Sequence, residues 1–229
     1  MQSPIVHAPT VLTLLGGGSV TSEELAIARK IAPILVALDG GAEIALQHGI
    51  TPEAVIGDFD SLSQASATVI GAAALHQIDE QDTTDFEKAL ARVDAPLMLG
   101  VGLTGLRRDH ELAAYHALLR FADKRCILIA QSDVIALCPP KLTLDLPVDT
   151  RVSLFPLTSV VADATGLRWP LDALALAPGK RIGTSNAASG GAVEIRVDAP
   201  GLLVILPVDK LDALIAGFQA NPAGWARQV

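Results

Sequence analysis

Four strand-length runs free of charge, residues 11–15, 34–38, 97–101 and 126–130, punctuate the first 132 positions, with helical patterns between them. Apolar at all but Thr13 and not alternating, such runs suit strands buried on both faces, as in a parallel sheet covered by helices. The helical stretches carry their own start signals. Thr21 with Glu24 makes a capping-box pattern for a helix running to about residue 31, and residues 42–48 read as a short helix. Phe86, Ala89, Leu90 and Val93 recur at helical spacing behind Asp82, which can cap that helix, with Thr83 and Thr84 as rival caps. Leu112, Tyr115, His116 and Leu119 do the same behind Arg107-Arg108-Asp109. Both polar clusters therefore fall at helix starts, on the loops that α/β sheets use for binding.

Beyond about residue 132 the helical period fades. Short runs at 134–138, 142–146, 152–157, 193–197 and 202–206 lie between Pro, Gly and Asp, and residues 209–218 read as a short terminal helix followed by a frayed tail. This texture predicts a small antiparallel sandwich. The expected fold class is α/β: a Rossmann-like parallel-sheet domain over residues 1–132, then a smaller all-β sandwich domain over 133–229.

With 229 residues, half of them apolar, the chain can bury a substantial core, and because aromatics make up only 3%, Leu, Ile, Val and Ala must pack it. A net charge of −8 argues against general affinity for nucleic acid or anionic membranes, although a nucleotide's charge can still be met locally. Cys126 and Cys138 sit among apolar neighbours without metal-ligand spacing, and are read as buried free thiols. No run reaches membrane-spanning length, and no basic stretch followed by an apolar core opens the chain, so a cytoplasmic location is expected.

Chemistry concentrates in the carboxylates. Asp58 and Asp60 flank Phe59 at the end of an apolar run, where an extended backbone points both the same way. Asp39 of Asp39-Gly40-Gly41 and Asp82 of Asp82-Thr83-Thr84-Asp85 follow other runs. Converging acids at about 4 Å repel by roughly 4 kcal/mol per pair at an effective dielectric near 20. A hard cation such as Mg²⁺, which prefers oxygen ligands, relieves that repulsion. Isolated Gly-Asp turns or helix-dipole acids account for the same residues one at a time.

Arg107, Arg108, Asp109 and His110 form the dense basic patch of the first half. An Arg at a helix start can grip phosphate oxygens, while an exposed charged turn is the plainer account. Gly16-Gly17-Gly18 lacks the Lys-Ser/Thr ending of a P-loop, yet can bring backbone close to a ligand. Ser185-Asn186 lies in a Gly/Ser/Ala-rich loop whose amide and hydroxyl can read an aminopyrimidine ring or simply make a turn.

Taken in order, Asp39-Gly40-Gly41-Ala42, Gly49-Ile50-Thr51-Pro52 with Ile56-Gly57-Asp58-Phe59-Asp60-Ser61, Asp82-Thr83-Thr84-Asp85, Gly105-Leu106-Arg107-Arg108-Asp109-His110, Gly166-Leu167-Arg168-Trp169-Pro170-Leu171 and Ser185-Asn186 resemble the thiamine pyrophosphokinase family. The resemblance covers most of residues 12–206. It implies pyrophosphate transfer from ATP to thiamine, giving thiamine diphosphate and AMP, in a homodimer. It implies Asp58, Asp60 and Asp82 as Mg²⁺ ligands, and these three with Arg107 and Asp109 as catalytic residues. It further implies Asp39, Gly40, Gly41, Thr84, Asp85 and Arg107 around the nucleotide, and Ser185 and Asn186 at thiamine. Gln81 stands where the family pattern usually has Lys, Leu106 where it has Gly, and Trp169 where it has Tyr. A metal-dependent hydrolase and a non-catalytic nucleotide sensor are the rival readings.

Overall fold

The structure is a computed structural model that describes residues 3–226. The chain divides into two compact units, Met1–Ala117 with Cys126–Gln131, and Leu118–Arg125 with Ser132–Val229. The first unit contains β1 (Val6–His7), β2 (Leu12–Leu15), α1 (Ser22–Ile31), β3 (Leu35–Leu38), α2 (Gly41–Gln47), β4 (Ala54–Gly57), α3 (Gln64–Ile70), β5 (Leu75–Gln77), α4 (Asp85–Arg92), β6 (Val93–Asp94), β7 (Met98–Val101), α5 (Arg108–Arg120) up to Ala117, and β8 (Cys126–Ile129). Its main sheet runs β8-β7-β2-β3-β4-β5 with every pairing parallel, and β1 pairs separately with β6.

Strands β2, β3, β4, β7 and β8 are buried at every position, as their charge-free sequences require, and the one polar residue among them, Thr13, donates its hydroxyl to the Ala32 carbonyl at 2.7 Å. Each buried Leu, Ile or Val there contributes about 1.5–3 kcal/mol through desolvation. Helix α1 begins with the expected capping box: Thr21 accepts from the Glu24 N–H, and Glu24 accepts in return from the Thr21 N–H at 2.6 Å. For α4 the cap is Thr84 rather than Asp82. Its hydroxyl accepts from the Glu87 N–H at 3.3 Å, and Glu87 accepts from the Thr84 N–H at 3.0 Å. Val93, grouped with this helix by spacing, instead begins β6. Thr84→Ala should therefore cost about 1 kcal/mol in urea unfolding, while Asp82→Ala should change stability by less than about half of that. The reverse order would return the cap to Asp82. In α5 the buried face is Ala114, Ala117 and Leu118, whereas Leu112 is 67% exposed, so the spacing that marked the helix did not identify its inner face.

The second unit contains β9 (Asp133–Leu137), β10 (Lys141–Asp145), β11 (Arg151–Pro156), β12 (Val160–Thr165), β13 (Leu171–Leu176), β14 (Gly183–Ala187), β15 (Ala192–Val197), β16 (Leu202–Pro207) and α6 (Leu211–Ala220). Its strands form two antiparallel sets, β14-β11-β16-β9 and β10-β15-β12-β13. The sequence reading omitted β12, β13 and β14. Val160–Thr165 does alternate buried and exposed positions, but its Ala and Asp residues are poor strand formers. Both pairs β12–β13 and β11–β14 carry register shifts, and β14, Gly-Thr-Ser-Asn-Ala, has almost no apolar pattern. Asp209 falls in the short turn Val208–Lys210 ahead of α6. The expected tail lies partly outside the described residues. Both cysteines are free and buried, and burial pushes each thiol up to about 12. Among the described residues no helix is long and apolar enough to cross a membrane.

Candidate functional site

The loops leaving β2, β3, β4 and β7 surround a cavity of about 470 Å³ in the first unit, within the range of small-molecule sites. All four leave the carboxyl ends of parallel strands. The chain moves outward from β2 through β3 and β4 to β5, then resumes on β2's other side with β7 and β8, so the crevice sits where strand order reverses. Glycine makes the approach possible. A Cβ on Gly41, at the start of α2, would lie 2.0 Å from the Leu15 carbonyl oxygen, and one on Gly16 would lie 2.5 Å from that of Gly102.

Asp39, Asp58 and Asp60 each bring one carboxylate oxygen within 4.8 Å of the others. Asp39 follows β3 with φ of +40°, a left-handed conformation that Asp tolerates better than most residues. It is buried, and its Oδ1 has no hydrogen-bond partner. Burial, reinforced by the nearby Asp85 and Asp60 charges, pushes its pKa above the ordinary carboxylate value. A buried carboxylate with one unpartnered oxygen, close to two further carboxylates, is a donor set that suits a hard divalent cation. Asp58 differs: the Gln81 amide, donating at 2.7 Å, is the main reason its pKa is lowered. Asp82, grouped with Asp58 and Asp60 from the sequence, is not in this trio. It lies on the loop before α4, where its own N–H donates to Glu80.

Lys88 is the residue that sequence reasoning missed. Its side chain is 3% exposed, and its Nζ lies 3.2 Å from Asp85 and 3.9 Å from Asp58. Asp85 sits at the first position of α4 and Lys88 one turn later, so the i,i+3 spacing was the available signal. Burial raises the pKa of Asp85, and the Lys88 ammonium opposes that rise. Thus Gln81 supplies a neutral donor to Asp58 while the positive charge comes from α4.

Arg107 lines the cavity together with Gly40, Asp58, Thr84, Asp85 and His110. Its guanidinium pairs with Asp109 through contacts of 2.6 and 3.2 Å, and this holds the Asp109 carboxyl down to about 2. Both partners are exposed. Ser185 and Asn186 instead border a cleft of about 400 Å³ in the second unit with Trp169, Pro170, Leu171 and Ile182. Trp169 is 58% exposed, so a core role is excluded. Asn186 is buried, with its amide directed at the backbone of Trp169.

Two family profiles match the chain: "Thiamin pyrophosphokinase, catalytic domain" over residues 27–130 and "Thiamin pyrophosphokinase, vitamin B1 binding domain" over residues 141–202. A rice (Oryza sativa subsp. japonica) relative, thiamine pyrophosphokinase 1, is 29% identical over 167 residues, covering 65% of this chain and 63% of its own length. Thiamin pyrophosphokinase from Candida albicans superposes with a TM-score of 0.74 at 16% identity, covering 88% of this chain and 92% of that one. The Geobacillus thermodenitrificans thiamin pyrophosphokinase gives 0.72 at 23% identity, covering 90% and 100%.

Proposed function

From the premise that this chain belongs to the thiamine pyrophosphokinase family, we propose that it transfers pyrophosphate from ATP to thiamine, releasing AMP. The observation that carries this reading is the cavity of the first unit, lined by Asp39 with its orphaned oxygen, Asp58, the buried Lys88 and Arg107, with the Asp60 carboxylate converging on the first two. We read its sheet as Rossmann-like, the division near residue 132 as separating nucleotide and thiamine domains, and the second unit as a sandwich. The active species is a homodimer in this reading, and the exposed Trp169 and Ile182 are surfaces that a second copy could cover. Its location is cytoplasmic.

In the reaction, the thiamine hydroxyl oxygen forms a bond to the β-phosphorus of ATP. The bond from that phosphorus to the oxygen bridging to the α-phosphate breaks, AMP takes the electron pair, and the hydroxyl proton passes to a carboxylate or to water. Asp39, Asp58 and Asp60 are the residues that would hold Mg²⁺, with Asp39 taking the place expected of Asp82. Bound there, the cation supplies charge neutralisation to the polyphosphate. Lys88 and Arg107 add positive charge toward the same oxygens, Arg107 by exchanging Asp109 for phosphate. Gly40, Gly41, Thr84 and Asp85 shape the nucleotide side, and Ser185 and Asn186 belong to the thiamine side. Catalysis then rests on positioning and preorganised charge.

The test is product analysis with Mg²⁺-ATP, with and without thiamine. AMP and thiamine diphosphate should form together, and AMP should be absent without thiamine. ADP or phosphate released without thiamine would favour a hydrolase, and binding without turnover a sensor.

A further inference from the structure

The segment Gly166–Trp169 runs antiparallel to Ala187–Ser189, with the Ser189 N–H donating to Gly166 and the Arg168 N–H donating to Ala187. One step further the backbone can no longer serve. Ser185 adopts φ of +63°, and its N–H turns to the buried hydroxyl of Ser153, at the register shift between β11 and β14. The Asn186 side chain takes over the pairing. Its Oδ1 accepts from the Trp169 N–H at 3.2 Å and the Ala187 N–H at 2.8 Å, while its Nδ2 donates to the Trp169 carbonyl at 2.6 Å. Two donors face Oδ1 and one acceptor faces Nδ2, so only this orientation of the amide satisfies all three. Once these three bonds are made, the amide keeps one Nδ2–H.

An exposed indole on a loop would ordinarily sample several rotamers. Here its backbone is clamped on both polar groups, and the Arg168 guanidinium lies 5.7 Å from the ring centroid while pairing with Asp149. We propose that Asn186 is a positioning residue that fixes Trp169 as a preformed wall of the second-unit cleft, rather than a residue that touches the acceptor. The ligand class is a flat heterocycle laid against the indole face. Holding that face in place before binding lowers the ordering cost of capture. The inference rests on reading this cleft as the thiamine side of the site.

The experiment uses full-length protein carrying Trp225→Phe, so that Trp169 is the one remaining tryptophan. Acrylamide quenching without ligand reads the clamp directly. Asn186→Ala should raise the quenching constant at least twofold and raise the thiamine KM about tenfold, with the ATP KM moving much less. A thiamine analogue with an oxo group in place of the pyrimidine amino group should lose affinity by the same factor as thiamine. Asn186→Asp covers the case in which the Ala variant does not fold. At neutral pH it sets a carboxylate oxygen against the Trp169 carbonyl and should quench readily, and acidification, which restores a donor, should return it toward the parent. Parent-like quenching in both variants would overturn the clamp, whatever thiamine does. Loss confined to thiamine and spared in the oxo analogue would overturn it in favour of direct contact. Altered quenching with an unchanged thiamine KM would remove thiamine from this cleft and the positioning role with it.

Discussion

Asp39→Asn should lower kcat at least about 100-fold while leaving the metal-free protein as stable as the parent or more so. The activity loss follows the scale of removing one preorganised electrostatic contact to the transition state. The stability gain comes from the same carboxylate. Asp39 is buried, one oxygen has no partner, and Asp60 and Asp85 add repulsion, so its pKa is raised. A group with a raised folded-state pKa destabilises the fold at neutral pH, and that cost fades as pH falls and the carboxyl takes up a proton. The advantage of the variant should therefore be largest near pH 7 and shrink on acidification. Asn also tolerates the left-handed backbone at this position, so the comparison isolates charge. Thermal unfolding with and without Mg²⁺ completes the test: Mg²⁺ should raise the Tm of the parent and barely move that of the variant. An equal Mg²⁺ shift in both proteins would exclude Asp39 as a ligand.

Lys88→Met should cost about 2 kcal/mol at pH 7 and reduce kcat/KM for ATP at least about 100-fold. Methionine preserves the apolar stem and removes the charge. Breaking a fully buried ion pair from one side costs about 3–5 kcal/mol, and the partial exposure of Asp58 and Asp85 reduces that figure. Without the ammonium, nothing opposes the burial that raises the Asp85 pKa, so the stability deficit should narrow as pH is lowered. The activity loss would come from withdrawing positive charge from the nucleotide cavity. Urea titrations at pH 7 and pH 5, with ATP kinetics alongside, read both effects. A pH-independent stability loss, or normal kcat/KM for ATP, would reduce Lys88 to a packing residue.

The sequence by itself determined four of the five fully buried parallel strands, because strands covered on both faces carry charge-free, mostly apolar runs such as Leu35–Leu38 and Cys126–Ile129. It also determined the α1 capping box and the ordered motifs that carry the family resemblance, since these signals lie within a few residues of one another. Tertiary structure decided which carboxylates meet. Asp39, Asp58 and Asp60 converge because β3 and β4 are neighbours in the sheet, whereas Asp82 is carried on the loop that Thr84 and Glu80 organise. The same holds for Lys88, whose role depends on α4 presenting it to Asp58, thirty residues earlier in the chain. Strands β13 and β14 escaped a periodicity reading because register shifts and a positive φ at Ala173 and Ser185 interrupt the alternation on which such a reading depends. Asn186 shows the division most clearly. Its residue type allowed a ligand contact or a turn, and only the fold brings its amide into three hydrogen bonds with the backbone of Trp169 and Ala187.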